Sequence, residues 1–245
     1  MRKTKIICTL GPATDKGDTL RELVLAGMDV ARFNFSHADH AEHLGRLESL
    51  EALRAELGIP VATLLDTKGP EIRLGIFKDD AKIKLVDGNT FTLTTRDVEG
   101  DENQVSISYI NLIYDIEVGT TILIDDGLIE MIVTEISPTD IVCKVINGGT
   151  VSSRKGVNVP GIKLSMPYVS DKDRDDIIFA IEHDYDFIAA SFVRTIEDIE
   201  DIRKIVNKYK SQIKIIAKIE NLQGVKNIDD IIEASDGIMI ARGDM

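Results

Sequence analysis

The sequence has few cysteines and no long apolar segment. Cys8 and Cys143 are the two cysteines among 245 residues, and their spacing fits no metal-binding or redox motif. We therefore expect two buried thiols in a reducing compartment. No stretch reaches the roughly 18 apolar residues of a membrane-spanning helix, and the apolar run after Met1 is too short for a signal peptide. These absences predict a cytoplasmic protein without a membrane partner.

Positive charge is also scarce. The chain carries 29 Lys and Arg against 42 Asp and Glu, which gives a formal net charge of −13. A strongly acidic surface repels a phosphate backbone, so the composition argues against nucleic acid as a partner. An anionic substrate would need a local group of lysines, arginines or metal ions to offset this field.

Apolar runs and helical patterns alternate at both ends of the chain. In residues 1–73 we predict strands at 5–10, 30–35 and 61–67, and helices at 17–27 and 38–57. Residues 166–245 resume the alternation, with predicted helices at 171–184, 195–210 and 225–234 and strands at 187–193, 213–220 and 237–244. Strands that alternate with helices of this length predict a parallel sheet with right-handed crossovers.

Residues 74–165 differ from both ends. Their β-branched runs are broken by Asp-Gly, Gly-Asn and Gly-Gly turns, which is typical of antiparallel strands. The predicted fold class is therefore α/β: an incomplete (β/α)8 TIM barrel with about six strands, formed by 1–73 and 166–245, with an inserted all-β domain at 74–165. Glycines and prolines at both junctions suit hinges, so the inserted domain is predicted to close over a site as a lid. The hinge candidates are Gly69, Pro70, Gly75, Pro160 and Gly161.

The fifth predicted strand of the barrel ends in a cation and a carboxylate. Lys218 and Glu220 are two residues apart, so in a strand they project from the same face. The next strand ends in Gly243 and Asp244, and Asp244 is a candidate second carboxylate, because Mg²⁺ usually takes one or two protein carboxylates. A surface ion pair and a turn residue are the simpler interpretations. The active site of a β/α barrel lies at this strand edge, which favours function.

Two earlier strands end in further polar groups. Arg32, Asn34 and Ser36 alternate and therefore share one face of the second strand. Arg32 could grip a phosphate with its planar fork of donors. Asp66 and Thr67 end the third strand, and together with Asn34 and Ser36 they provide oxygens for a monovalent cation. Ser36 and Thr67 could equally be helix caps.

Other basic and histidine side chains have weaker patterns. Arg73 is a second candidate phosphate ligand at the hinge, and Lys155 belongs to a basic loop that could face a nucleotide or only solvent. His37, His40 and His43 recur at three-residue steps, without the four-residue pairing of helical zinc motifs. We therefore interpret them as neutral or solvated helix residues, with His37 as a possible contact of a nucleotide.

Taken together, six motifs in order closely resemble the pyruvate kinase family, and the resemblance covers the whole chain. They are KTKIICTLGPAT, VARFNFSH, LLDTKGPEIRLG, RKGVNVPG, IIAKIENLQGV and ARGDM. The resemblance implies phosphoryl transfer from phosphoenolpyruvate to ADP, which gives pyruvate and ATP in glycolysis. It also implies a homotetrameric parent protein that requires Mg²⁺ (or Mn²⁺) and K⁺.

The resemblance also implies a role for each candidate residue. Glu220 and Asp244 would hold Mg²⁺, and Lys218 would stabilise charge on the transferred phosphoryl group, with Arg32 and Arg73 positioning phosphates. Asn34, Ser36, Asp66 and Thr67 would bind K⁺. His37 and Lys155 would contact the nucleotide. The backbone N–H groups of Gly243 and Asp244 would bind the substrate carboxylate. Glu71 stands where potassium-independent members tend to carry lysine, which implies K⁺ dependence.

The sequence also departs from a complete barrel. Outside the insertion it is shorter than the roughly 250 residues of a typical barrel, so we expect it to be the first part of a longer protein. We expect the isolated chain to have little kinase activity and to self-associate. Two other interpretations stay open: a Mg²⁺-dependent aldolase or lyase that acts through a pyruvate enolate, and a non-catalytic binding fragment. The inserted domain and the VARFNFSH and DTKGPEIR motifs favour the kinase.

Overall fold

A computed structural model describes residues 3–162 and 164–241. The chain forms two compact units, Met1–Pro70 with Tyr168–Met245 and Glu71–Pro167, which we call the α/β unit and the β-rich unit. The limits predicted from sequence, 74 and 165, lie within a few residues of these. Within the described ranges, no helix is long and apolar enough to cross a membrane.

The first segment of the α/β unit alternates strands and helices. Its elements are β1 (Ile7–Leu10), α1 (Thr19–Ala26), β2 (Val30–Asn34), α2 (His40–Leu57) and β3 (Ala62–Asp66). The side chain of Asp39 accepts a hydrogen bond from the amide of Glu42, and the two residues form a capping box that begins α2. Gly58 ends that helix at a φ of 64°, a left-handed conformation that glycine adopts without steric cost.

The β-rich unit follows. Its elements are β4 (Ile72–Arg73), a 3-10 turn (Lys78–Asp80), β5 (Ile83–Leu85), β6 (Thr90–Thr94), β7 (Gln104–Ser106), α3 (Leu112–Asp115), β8 (Thr121–Ile124), β9 (Ile129–Ile136), β10 (Asp140–Asn147), β11 (Gly149–Val151) and β12 (Gly156–Asn158). Seven strands form a sheet in the order β4-β12-β8-β9-β10-β6-β7, and β11 pairs with β5. Side chains such as Phe77, Phe91 and Leu93 are fully buried and give this unit a hydrophobic core of its own.

The second segment of the α/β unit completes its sheet. Its elements are α4 (Asp171–Glu182), β13 (Phe187–Ala190), α5 (Ile196–Lys208), β14 (Lys214–Ile219), α6 (Leu222–Lys226), α7 (Ile228–Ala234) and β15 (Gly237–Ile240). Six strands pair in the order β1-β2-β3-β13-β14-β15, and every pair is parallel. The predicted α/β fold with the strands of a partial barrel is confirmed.

Two elements differ from the prediction. The strand expected at 187–193 ends at Ala190, because Phe192 has a φ of 55°, which is incompatible with an extended strand. The helix expected at 225–234 is divided into α6 and α7. They meet at Asn227, whose side chain donates to the carbonyl oxygen of Arg194 at 2.8 Å. The backbone of Asn227 departs from helical geometry, with a φ of −103° and a ψ of 19°, and this marks the junction.

Candidate active site

Four predicted side chains of the α/β unit meet at the carboxyl ends of its strands. Arg32 comes from β2, Asp66 from β3 and Lys218 from β14, and Glu220 follows the end of β14. In a parallel sheet these ends lie on one edge, so residues far apart in sequence converge there. The structure joins them by hydrogen bonds through a fifth residue, Ser191, which the sequence analysis missed.

Lys218 is held on three sides. Its Nζ lies 3.0 Å from Asp66 Oδ1, 2.9 Å from Glu220 Oε1 and 2.8 Å from Ser191 Oγ. An ammonium has three N–H donors, so these contacts use its full donor capacity. The lysine side chain is 10% exposed. The ammonium is therefore fixed at the strand ends and not free to move in solvent.

Asp66 joins two cations. Its Oδ2 accepts a hydrogen bond from Arg32 Nε at 2.5 Å, while its Oδ1 faces Lys218. Arg32 also donates through Nη1 to Thr9 Oγ1 at 2.7 Å. The Asp66 side chain is 1% exposed, and a buried carboxylate of this kind requires paired charges. With Glu220, the cluster contains two carboxylates and two cations.

Glu220 is oriented by the backbone. One carboxylate oxygen faces Lys218, and the other, Oε2, accepts the Phe192 amide at 2.6 Å. The Phe192 backbone has a φ of 55°, which is unusual for a residue with a side chain. Strained backbone of this kind concentrates at functional sites.

A divalent metal would find one suitable ligand in this cluster. Within the described ranges, no group of three or more His, Cys, Asp or Glu side chains could hold a metal ion. Mg²⁺ needs only one or two protein carboxylates besides water and substrate, so Glu220 fits it as one oxygen ligand. The other predicted ligands, Gly243 and Asp244, lie outside the described residues.

The four predicted K⁺ ligands lie on two neighbouring strand ends. Asn34 is paired with Asp66 in the register of β2 and β3. Ser36 follows in a turn, where its amide donates to Asn34 Oδ1 at 3.0 Å. The Thr67 hydroxyl accepts the Ser191 amide at 3.0 Å and thus stabilises the strand end. The Thr67 carbonyl oxygen accepts the Ser191 hydroxyl at 2.6 Å, so both Thr67 oxygens lie beside Ser191. Neutral and anionic oxygens of this kind suit a hard cation.

The two basic residues of the β-rich unit that were predicted to bind phosphate or nucleotide are both paired with carboxylates. Arg73 makes a bidentate contact with Glu71, with both N···O distances at 2.7 Å, and this hydrogen bonding raises the pKa of Arg73. Its Nη1 also donates to the carbonyl oxygen of Arg154 at 2.9 Å. Lys155 Nζ lies 2.7 Å from Asp125 Oδ1. Arg73 and Lys155 are therefore both held in place by carboxylates of the β-rich unit.

Comparison with known proteins identifies the family. A family model described as the pyruvate kinase barrel domain matches residues 1–245. The chain belongs to the pyruvate kinase family.

Curated relatives agree with this assignment. The chain is 51% identical to a pyruvate kinase of Staphylococcus saprophyticus over 248 residues, and the match covers 100% of this chain and 42% of that protein. Pyruvate kinases of Bacillus licheniformis and of Staphylococcus aureus strain MRSA252 are each 47% identical, with the same shares covered. The chain thus spans about two fifths of the length of these relatives.

The histidines of this pyruvate kinase family member do not form one helical row. His37 precedes α2, and His40 begins it. His40 Nε2 lies 2.7 Å from the buried Asp176 Oδ1. His43 is 2% exposed and stacks on Phe35 with ring centroids 4.0 Å apart, so of the two predicted alternatives, neutral or solvated, the structure favours the neutral side chain. Its apolar neighbours come from other elements, so the pattern within the helix does not reveal them.

The burial of His43 predicts a pH effect on stability. Burial lowers the pKa of His43 below its ordinary value of 6.5, although the bond from its ring to His37 O raises it. The folded state therefore binds this proton more weakly than the unfolded state. The contribution of neutral His43 to the free energy of unfolding is complete above a pH of 6.5. It is lost as the pH falls below that value, by at most about 1.4 kcal/mol per pH unit.

A non-titrating substitution tests this effect. In His43→Gln the loss of stability below a pH of 6.5 should be smaller than in the parent chain. Urea unfolding at several pH values measures it, and the carboxylates common to both proteins cancel in the difference. If the free energies of unfolding of the two proteins depend on pH in parallel, His43 does not cause this loss of stability.

Ser191 and Asp173 are the residues that the sequence analysis missed. Ser191 directly follows β13, as Thr67 follows β3, but the strand predicted at 187–193 placed Ser191 inside a strand and hid this shared position. Asp173 is 3% exposed and accepts the Gly69 amide at 3.1 Å through Oδ1. A carboxylate in the first turn of α4 gives no sequence signal for a contact with a loop more than 100 residues away.

Gly69 packs tightly against the site. Its φ is +71°, and a Cβ at this position would lie 2.8 Å from the Ser191 carbonyl oxygen. Gly69→Ala should therefore lower the free energy of unfolding by more than the 1–2 kcal/mol of a left-handed alanine alone, about 3 kcal/mol in total. Gly17 is the matched control, because its φ is +54° and nothing lies within 4 Å of its Cβ position. Equal losses in urea unfolding of Gly69→Ala and Gly17→Ala would show that the contact is unimportant.

Proposed function

We propose that this chain carries catalytic residues of a pyruvate kinase, which transfers a phosphoryl group from phosphoenolpyruvate to ADP and yields pyruvate and ATP in glycolysis. The Lys218 ammonium carries the proposal, because it is fixed among Asp66, Glu220 and Ser191 at the strand ends, with Arg32 beside Asp66. Phosphoryl transfer needs positioning and electrostatic stabilisation more than a protein nucleophile. Fixed cations at a barrel edge provide both.

The proposed reaction uses these groups in a defined way. A β-phosphate oxygen of ADP attacks the phosphorus of phosphoenolpyruvate, and the bond from phosphorus to the enol oxygen breaks. Lys218 stabilises negative charge on the transferred phosphoryl group. Arg32, whose Nε and Nη1 are already used, offers Nη2 to a phosphate oxygen. The enolate that is left takes a proton at carbon and becomes pyruvate.

Metal ions would complete the charge balance. Mg²⁺ (or Mn²⁺), held by Glu220 and Asp244, would neutralise charge on the substrate carboxylate and enolate oxygens when bound. K⁺, held by oxygens of Asn34, Ser36, Asp66 and Thr67, would add a positive charge beside the phosphates.

The remaining roles concern the nucleotide and the substrate carboxylate. We propose that Arg73 and Lys155 bind phosphates after leaving Glu71 and Asp125, that the β-rich unit serves as a lid, and that His37 contacts the nucleotide. Backbone N–H groups of Gly243 and Asp244 would receive the substrate carboxylate. The whole enzyme is proposed to be a cytoplasmic homotetramer.

A coupled assay tests the proposed function. The 245 residues replace the matching segment of the Bacillus licheniformis pyruvate kinase, and pyruvate formation from phosphoenolpyruvate is followed with and without ADP. We expect pyruvate only when ADP is present. Pyruvate formed equally without ADP would indicate a phosphatase that transfers the phosphoryl group to water, and no pyruvate at all would leave the lyase and the binding function. The 245-residue chain is assayed in parallel and is expected to show little activity.

The proposed cation site predicts a K⁺ requirement. The chimera should have low activity in tetramethylammonium buffer and higher activity when K⁺ is added. Glu71→Lys should weaken this dependence, because a lysine ammonium can supply the missing charge. It also breaks the Arg73 pair, so Glu71→Gln is the control that breaks the pair without adding a cation. Equal rates with and without K⁺ in the unsubstituted chimera would refute the cation site.

A further inference from the structure

The Ser191 hydroxyl lies at the centre of the cluster. Its Oγ is 2.8 Å from Lys218 Nζ, 2.9 Å from Asp66 Oδ1 and 2.6 Å from the Thr67 carbonyl oxygen. Ser191 is 2% exposed, so no bulk water competes for these contacts. The hydroxyl therefore connects the ammonium assigned to phosphoryl transfer with an oxygen assigned to the monovalent cation.

A count of protons shows that the hydroxyl has two alternative arrangements. The Lys218 ammonium has no acceptor atom, so it donates to Ser191 Oγ. The Asp66 carboxylate and the Thr67 carbonyl can only accept. Ser191 has one hydroxyl proton, which can point to one of these acceptors at a time. The shorter distance, to Thr67, favours the carbonyl when no cation is bound there.

The surrounding backbone keeps the oxygen in place while the proton turns. The Ser191 amide donates to Thr67 Oγ1 at 3.0 Å, and its carbonyl oxygen accepts from the Tyr168 hydroxyl at 2.8 Å. The next amide, that of Phe192, donates to Glu220 at 2.6 Å. Heavy atoms bound in this way stay fixed, so reorientation of the hydroxyl requires only rotation about one bond.

We propose that Ser191 is a positioning residue that couples the monovalent-cation site to Lys218, an inference that rests on the proposed function. A cation at the Thr67 carbonyl repels a hydroxyl proton aimed at the same oxygen, so the proton turns to Asp66 Oδ1. A hydrogen bond to that oxygen reduces the negative charge that holds Lys218. The ammonium then interacts more strongly with the transferred phosphoryl group.

The proposal predicts that replacing Ser191 affects K⁺ binding and the activation of kcat by K⁺ differently. In Ser191→Ala the Thr67 carbonyl keeps its place and loses a competing proton, so K⁺ should bind as well as before or better. The increase in kcat on adding K⁺ should fall by about fivefold or more, the lower limit of typical coupling between sites. Ser191→Thr keeps a hydroxyl at the same position and should recover the response.

Two measurements on the same chimeras test this. K⁺ binding is followed through the K⁺-dependent rise in Tm, with tetramethylammonium chloride keeping the ionic strength constant, and kcat is measured at zero and saturating K⁺. The expected result for Ser191→Ala is an unchanged or lower K⁺ concentration at half of the Tm rise, with a reduced K⁺ activation of kcat.

Other results would overturn the inference. Unchanged activation in Ser191→Ala would show that the hydroxyl does not couple the two sites. Loss of both K⁺ binding and activity in Ser191→Ala would show that Ser191 has a merely structural role. If the alanine variant does not fold, Ser191→Thr is used instead, and absence of the K⁺ response of kcat in that variant would contradict the coupling. If the unsubstituted chimera forms no pyruvate, the proposed function fails. If it is active but shows no K⁺-dependent rise in Tm, only the cation coupling fails.

Discussion

Replacement of Lys218 by methionine in the chimera should lower turnover by roughly 10²–10⁴-fold, because one oxyanion-hole donor contributes about 10²–10³ and an arginine finger in phosphoryl transfer about 10³–10⁵. Methionine keeps most of the length and apolar volume of the side chain and removes the charge. The Lys218 side chain is 10% exposed and its ammonium has three contacts, so solvent does not replace the lost charge. KM for phosphoenolpyruvate should change much less than kcat.

The control for this substitution is Lys204→Met. Lys204 pairs with Asp201 on the surface, and its side chain is 72% exposed, so its loss should leave turnover unchanged. Circular dichroism establishes that both variants are folded before steady-state kinetics are compared. Near-normal turnover in Lys218→Met would remove this residue from the mechanism.

Replacement of Asp66 by asparagine should be the most destabilising polar substitution in the cluster. It leaves Arg32 and Lys218 with one carboxylate, Glu220, and thus an excess positive charge in a site where Asp66 is 1% exposed. Loss of one partner of a buried ion pair costs about 3–5 kcal/mol. The Arg32 side chain is 26% exposed, and solvent screening places the expected loss near 3 kcal/mol.

Urea unfolding of the 245-residue chain measures this loss. Asp201→Asn is the matched control, because Asp201 forms an exposed pair with Lys204 that should contribute less than about 1 kcal/mol. Similar small losses in both variants would show that the Asp66 pairs are no stronger than surface pairs.

Much of this site was predictable from the sequence because strand geometry is regular. The two-residue spacing of Lys218 and Glu220 predicted side chains on one face, and their atoms are 2.9 Å apart. The alternation of strands and helices placed Arg32 and Asp66 at the same sheet edge. These inferences need only the period of a strand and the topology of a parallel sheet.

The rest depended on information that periodicity does not contain. The role of Ser191 comes from three partners on other segments, and the amide of Phe192, which has a φ of 55°, donates to Glu220 on another strand end. The burial of His43 results from packing against Phe35. Contacts that join distant segments decide each of these features, whereas the sequence pattern reports local order.

The proposal that these strand ends transfer a phosphoryl group is tested most directly by product stoichiometry. ³¹P and ¹H NMR of one sample follow ATP and pyruvate as the chimera consumes phosphoenolpyruvate and ADP, beside the same chimera carrying Lys218→Met. We expect one ATP for each pyruvate in the parent and very slow formation of both in the variant. Pyruvate accompanied by inorganic phosphate instead of ATP, or equal rates in the two proteins, would contradict this account.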